Sequence, residues 1–128
     1  MQPYQIAFDR VAQGEIFHQC VFILCQKTQE AMAAAAAARQ AYDLDTSAPY
    51  MPHLSLLYAD VDAAARGAAV AEEQGRLFEA GGEPSAALHE PGFEAVSVSV
   101  WYTPAEDKTL LSWRQLAEFK FELGGSSA

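Results

Sequence analysis

The sequence predicts an α+β fold, an antiparallel sheet with helices on one face, and three observations predict it. Segments with period-two alternation and many Val, Ile, Phe and Tyr residues recur along the chain. Two alanine-rich stretches with helix-start signals lie between them. The strands read as half-buried and the helices as amphipathic, the pattern of a sheet covered on one side. With 128 residues, 51% of them hydrophobic, the chain suits one domain over residues 1–123, followed by a frayed tail over 124–128.

The first strand is expected over Tyr4–Val11, with Tyr4, Ile6 and Phe8 alternating against Gln5, Ala7 and Asp9. Ala12–Glu15, which contains Gly14, reads as a turn, and Ile16–Gln26 as a second strand that closes a hairpin. Thr28 is an N-cap with Glu30 in the first turn of a helix over Ala31–Tyr42, whose alanine run presents a close-packing face. A loop with two prolines leads to a short strand over His53–Tyr58. Asp60 is expected to cap a second helix, about Val61–Glu79, closed by Gly81 and Gly82. After a loop over 83–92, Phe93–Tyr102 reads as one strand, with Val96, Val98 and Val100 on one face and Ser97, Ser99 and Trp101 on the other. Thr103-Pro104-Ala105-Glu106 fits a capping box, which predicts a short helix through about Trp113. Leu116–Leu123 completes the order as a strand with Phe119, Phe121 and Leu123 inward.

Eight basic residues against seventeen acidic give a formal charge of −9 and no basic stripe, which argues against nucleic acid or an anionic membrane as a partner. A local site can still take an anionic small molecule. No early apolar run resembles a signal peptide, and none approaches the length of a membrane helix. Cys20 and Cys25 are an odd number of residues apart on one strand, so they project to opposite faces and are expected as two unbonded, buried thiols of a cytoplasmic or organelle-stromal protein.

The sharpest chemical feature is His53-Leu54-Ser55. Period-two alternation puts His53 and Ser55 on one strand face, an imidazole that exchanges a proton near neutral pH beside a hydroxyl that can donate to a phosphoryl oxygen. Three residues alone also suit a structural or surface histidine. The three histidines show no metal-ligand spacing and give little support for a zinc site, and no cofactor is expected.

The surroundings carry more. Pro49-Tyr50-Met51-Pro52-His53-Leu54-Ser55-Leu56-Leu57-Tyr58-Ala59 closely resembles the second catalytic motif of plant-type cyclic phosphodiesterases, in the two-histidine phosphoesterase superfamily. Phe8-Asp9-Arg10-Val11 through Phe17-x-Gln19-Cys20-Val21-Phe22, and Thr103-x-x-Glu106-Asp107-Lys108-Thr109-Leu110-x-x-Trp113, resemble further blocks of that family in the same order. The resemblance implies a bilobal α+β fold with one His-x-Thr/Ser on a cleft strand of each lobe. It also implies metal-independent hydrolysis of ADP-ribose 1″,2″-cyclic phosphate, an RNA-splicing by-product, or of nucleoside 2′,3′-cyclic phosphates. Carried over, His53 is one acid/base and Ser55 a phosphate ligand. Tyr58, at the strand end, is a substrate contact.

The family's first motif lies upstream of the Asp-Arg-Val strand, near which this chain starts, so the resemblance is to the half that holds the second motif. Either a longer gene product or a homodimer of this chain is expected to supply the other histidine. A remnant that binds nucleotides or self-associates without catalysis is the opposing reading, and an unrelated α+β interaction domain a third. Ser99 and Trp101 would line the cleft and contact substrate if the valine face opposite them packs on helices. The remaining residues have plainer readings: His18 as a packed or sheet-edge histidine, His89 and Lys108 as solvated, Glu106 as the capping-box partner and Trp113 as core.

Overall fold

The computed structural model describes residues 1–122; Leu123 and the tail expected over 124–128 lie outside the described residues. Among the described residues, six strands and two helices follow one another as β1 (Tyr4–Ile16), β2 (Gln19–Cys25), α1 (Gln29–Ala41), β3 (His53–Leu57), α2 (Ala63–Leu77), β4 (Gly92–Ala95), β5 (Ser97–Tyr102) and β6 (Arg114–Lys120). The strands form a four-stranded sheet in the order β3-β2-β1-β4 and a two-stranded β5-β6 sheet, with β1–β2, β2–β3 and β5–β6 antiparallel, so the α+β class holds. The chain divides into two compact units, Gln5–Phe93, and Met1–Tyr4 with the chain from Glu94 onward.

In the Gln5–Phe93 unit the first hairpin is longer than expected. Gly14 is not in a turn: β1 runs on to Ile16, and the turn falls at Phe17 and His18. Gly14 and Glu15 form a bulge between the pairs Gln13–Val21 and Ile16–Gln19. A Cβ on Gly14 would run into the Gln19 carbonyl oxygen, which explains why glycine stands there. A second bulge at Asp9 lies between the pairs Phe8–Cys25 and Arg10–Leu24. It breaks the alternation, so that Phe8 and Val11 both face the core built by Val11, Val21, Ile23, Leu77 and Phe78. Helix α2 lies on this face, where Gln74 Oε1 accepts from the Val11 amide at 2.8 Å.

The helices start where short polar side chains satisfy free amides. Thr28 Oγ1 accepts from Ala31 N at 3.1 Å, as expected. For α2 the cap is Asp62 rather than Asp60, accepting from Ala65 N at 2.8 Å, and the helix ends at Leu77. Cys20 and Cys25 are free and buried. Burial pushes the Cys25 thiol above its ordinary pKa, and the charge of Asp9 adds to this.

In the other unit, the strand expected over Phe93–Tyr102 is broken at Val96, with β4 and β5 assigned to different sheets. The Val96 carbonyl accepts from Phe121 N at 2.8 Å. Phe121 is buried and stacks on Tyr4 at 5.9 Å. Phe119, expected inward, is instead 52% exposed, opposite the half-exposed Val98 on the hairpin.

No helix follows the Thr103–Glu106 segment, which forms turns. Leu110 has φ 66°, which a right-handed helix cannot contain. The Asp107 carboxylate gathers the segment instead, accepting from the amides of Thr109 (2.9 Å) and Ser112 (2.8 Å) and from both their hydroxyls (2.5 Å). Local side-chain bonds of this kind compete with helix formation. The Ser112 and Thr109 bonds hold the Asp107 pKa well below the usual carboxylate range. A depressed folded pKa gives stability that is complete above the unfolded value near pH 4 and is lost as pH falls through the folded one. Asp107→Asn is therefore expected to lower the thermal midpoint at neutral pH, with the gap to wild type narrowing as pH drops from about 5 towards 2. Melting curves of both proteins across that range check it.

Candidate active site

Strand β3 lies at one edge of the four-stranded sheet. Pro52, just before it, has no amide hydrogen, but its carbonyl accepts from Cys25 N at 2.9 Å and pins β3 to the end of β2. From there Leu24 pairs with His53, Ile23 with Leu54 and Phe22 with Ser55. Paired residues share a face, so His53 and Ser55 project together, half-buried, away from the face where Ile23 joins the core under α2. The His53 ring packs against Phe22 at 5.1 Å between centroids.

The protonation pattern of His53 follows from its partner. Nδ1 lies 2.8 Å from the Met51 carbonyl oxygen. A carbonyl only accepts, so Nδ1 carries a proton, and in the neutral ring Nε2 then holds the lone pair. That tautomer makes Nε2 the basic atom of the neutral ring and, once protonated, its acid.

Strict alternation from Ser55 would send Tyr58 to the opposite face, but β3 carries an extra residue. Between the pairs Phe22–Ser55 and Val21–Leu57, two steps of β3 match one of β2. The bulge turns Leu56 and Leu57 towards α2, where with Val21, Ala69, Glu73 and Arg76 they line a cleft of about 340 Å³. Past the bulge the alternation restores Tyr58 to the face of His53 and Ser55. The Tyr58 ring meets His18 edge-on at 5.4 Å and Phe17 at 6.2 Å. His18 is thus packed between Phe17 and Tyr58, the second of which is a candidate substrate contact. The sequence signal for that contact was the pair of aromatic positions at 17 and 58, without the register that joins them.

His18 cannot share a phosphate with His53. It touches Tyr58, five strand residues from His53, and at about 3.3 Å per residue the two imidazoles are on the order of 15 Å apart. His89 is exposed in the loop after α2. Ser99 and Trp101 lie in the other unit, where they share a hairpin face with Ser97; Ser99 pairs with Glu118 and Trp101, half-exposed, with Gln115. Lys108 is exposed, and Trp113 Nε1 donates to the Pro104 carbonyl at 3.2 Å.

Among the described residues no group of three or more His, Cys, Asp or Glu could hold a metal ion, and no helix is long and apolar enough to cross a membrane.

Residues 1–121 match the family described as cyclic phosphodiesterase-like protein. The chain is also 35% identical over 117 residues to a cyclic phosphodiesterase of Arabidopsis thaliana, a match that takes in 91% of this chain and 60% of that protein. It therefore spans less than two thirds of the length of this curated relative. A match over nearly the whole chain, with the oriented imidazole and the hydroxyl of its motif on one strand face, makes this chain a member of the cyclic phosphodiesterase-like family.

Proposed function

We propose that the chain provides one half of an active site that hydrolyses small cyclic phosphodiesters without a metal, either nucleoside 2′,3′-cyclic phosphates or ADP-ribose 1″,2″-cyclic phosphate. The observation that carries this is the contact of His53 Nδ1 with the Met51 carbonyl, which leaves Nε2 for proton transfer on the face that His53 shares with Ser55, in the edge strand of the sheet. In the reaction, water attacks phosphorus and loses a proton to a base. The bond from phosphorus to one ribose oxygen breaks, that oxygen takes a proton from an acid, and a phosphomonoester results. Two imidazoles divide these tasks. His53 Nε2 performs one of them, Ser55 donates to a phosphoryl oxygen, and Tyr58 bounds the substrate, steadied by His18.

This reading takes the second imidazole from another His-x-Ser/Thr motif, in a longer chain or in a second copy of this one, and the seat of His18 against Tyr58 rather than His53 supports it. The test is hydrolysis of a nucleoside 2′,3′-cyclic phosphate in EDTA over a range of chain concentrations, with Ser55→Ala beside the wild type. Expected are turnover that survives EDTA, a loss of about 10²–10³-fold in Ser55→Ala, and activity per chain that rises with concentration if a second copy completes the site. Phosphate binding with no turnover at any concentration would reduce the chain to a binding remnant.

A further inference from the structure

We infer that Arg10 supplies the cation of the phosphate site, an inference that rests on the proposed chemistry at His53 and deepens it. Register places it there: Arg10 pairs with Leu24, and Leu24 with His53, so the three form one row across the sheet. The next row is Ala12, Phe22 and Ser55. Directly paired residues share a face, so Arg10 emerges on the same side as the imidazole and the hydroxyl. Strands lie about 4.8 Å apart, which puts the Arg10 and His53 backbones about 10 Å from each other. An extended arginine side chain closes most of that span, passing over Leu24.

The side chain is also available. It is 62% exposed, and its ion pair with Asp9, at 3.5 Å between two solvated groups, is of the weak kind. The other arginines of this unit are engaged: Arg39 donates to the carbonyls of Ala48 and Pro49, Arg66 to that of Val61, and Arg76 to Glu73. A chain of net charge −9 repels an anion overall, so a phosphate held beside His53 needs a local positive group. A guanidinium offers two parallel N–H donors matched to two phosphoryl oxygens.

The test titrates inorganic phosphate into the full chain while the His53 ring-proton resonances are followed. Arg10→Gln is expected to weaken the phosphate-dependent shift by about tenfold to a hundredfold in affinity. Arg10→Lys should recover part of the loss, and the control Lys27→Gln should change affinity by less than about twofold. Phosphate affinity unchanged in Arg10→Gln but weakened in Ser55→Ala would overturn the role of Arg10 and leave the His53 site standing. An equal loss in Lys27→Gln would overturn it too, since bulk charge would then explain the effect. A wild-type His53 signal that ignores phosphate altogether would sink the phosphate site itself, and Arg10 with it.

Discussion

Replacing His53 with alanine is expected to slow hydrolysis of a nucleoside 2′,3′-cyclic phosphate by about 10²–10⁴-fold, the usual contribution of a positioned acid/base. The change removes Nε2 and nothing else that the proposed reaction would use: Ser55, Tyr58 and Arg10 keep their places because register, not His53, sets them. The ring is only half-buried against Phe22, so the fold should survive its loss. His53→Gln keeps a polar side chain of similar length but cannot exchange a proton near neutral pH, and it should be slow as well. Turnover rates at saturating substrate for wild type and both variants check this, with circular dichroism to confirm folding. A loss of less than tenfold would remove His53 from the chemistry.

The largest expected effect on stability comes from Ile23→Ala. Ile23 is 2% exposed at the centre of β2, paired with Val11 on one side and Leu54 on the other, within the core that includes Leu77 and Phe78. Truncating a buried isoleucine costs about 2–5 kcal/mol through lost transfer energy and the cavity left behind. Against a typical total of about 5–15 kcal/mol, that is enough to leave much of this unit unfolded at moderate denaturant. Both helices belong to this unit, so the helical signal in a urea titration reports on it. The midpoint should fall by the corresponding amount, and a cost below about 1 kcal/mol would place the core elsewhere.

Much of this arrangement was legible in the residues, and what was not has identifiable causes. Thr28 was readable as a cap because a hydroxyl three residues before a free amide is a local event. The common face of His53 and Ser55 was readable because two residues apart on a strand is also local. The position of Arg10 was not. Alternation from Tyr4, Ile6 and Phe8 assigns residue 10 to the core, and only the bulge at Asp9 reverses that. Tyr58 likewise depends on the extra residue at Leu56. Bulges arise from the match between two strands and leave little trace in either one. Around Thr103–Glu106 the capping pattern was present, but Asp107 offered the same backbone a denser set of bonds, and the turns won.

The contact that orients His53 has a wider consequence. Many catalytic imidazoles are set by a carboxylate distant in sequence, so that the pair must be inherited and preserved together. Here the orienting group is the peptide carbonyl two residues earlier, and a backbone carbonyl cannot be lost by substitution. The tripeptide Met51-Pro52-His53 behaves as a portable cassette: any extended segment that reproduces its backbone delivers an imidazole already in the correct tautomer. An enzyme made of two such cassettes can therefore be divided, duplicated or rejoined between its halves, and each piece keeps its own histidine set for use.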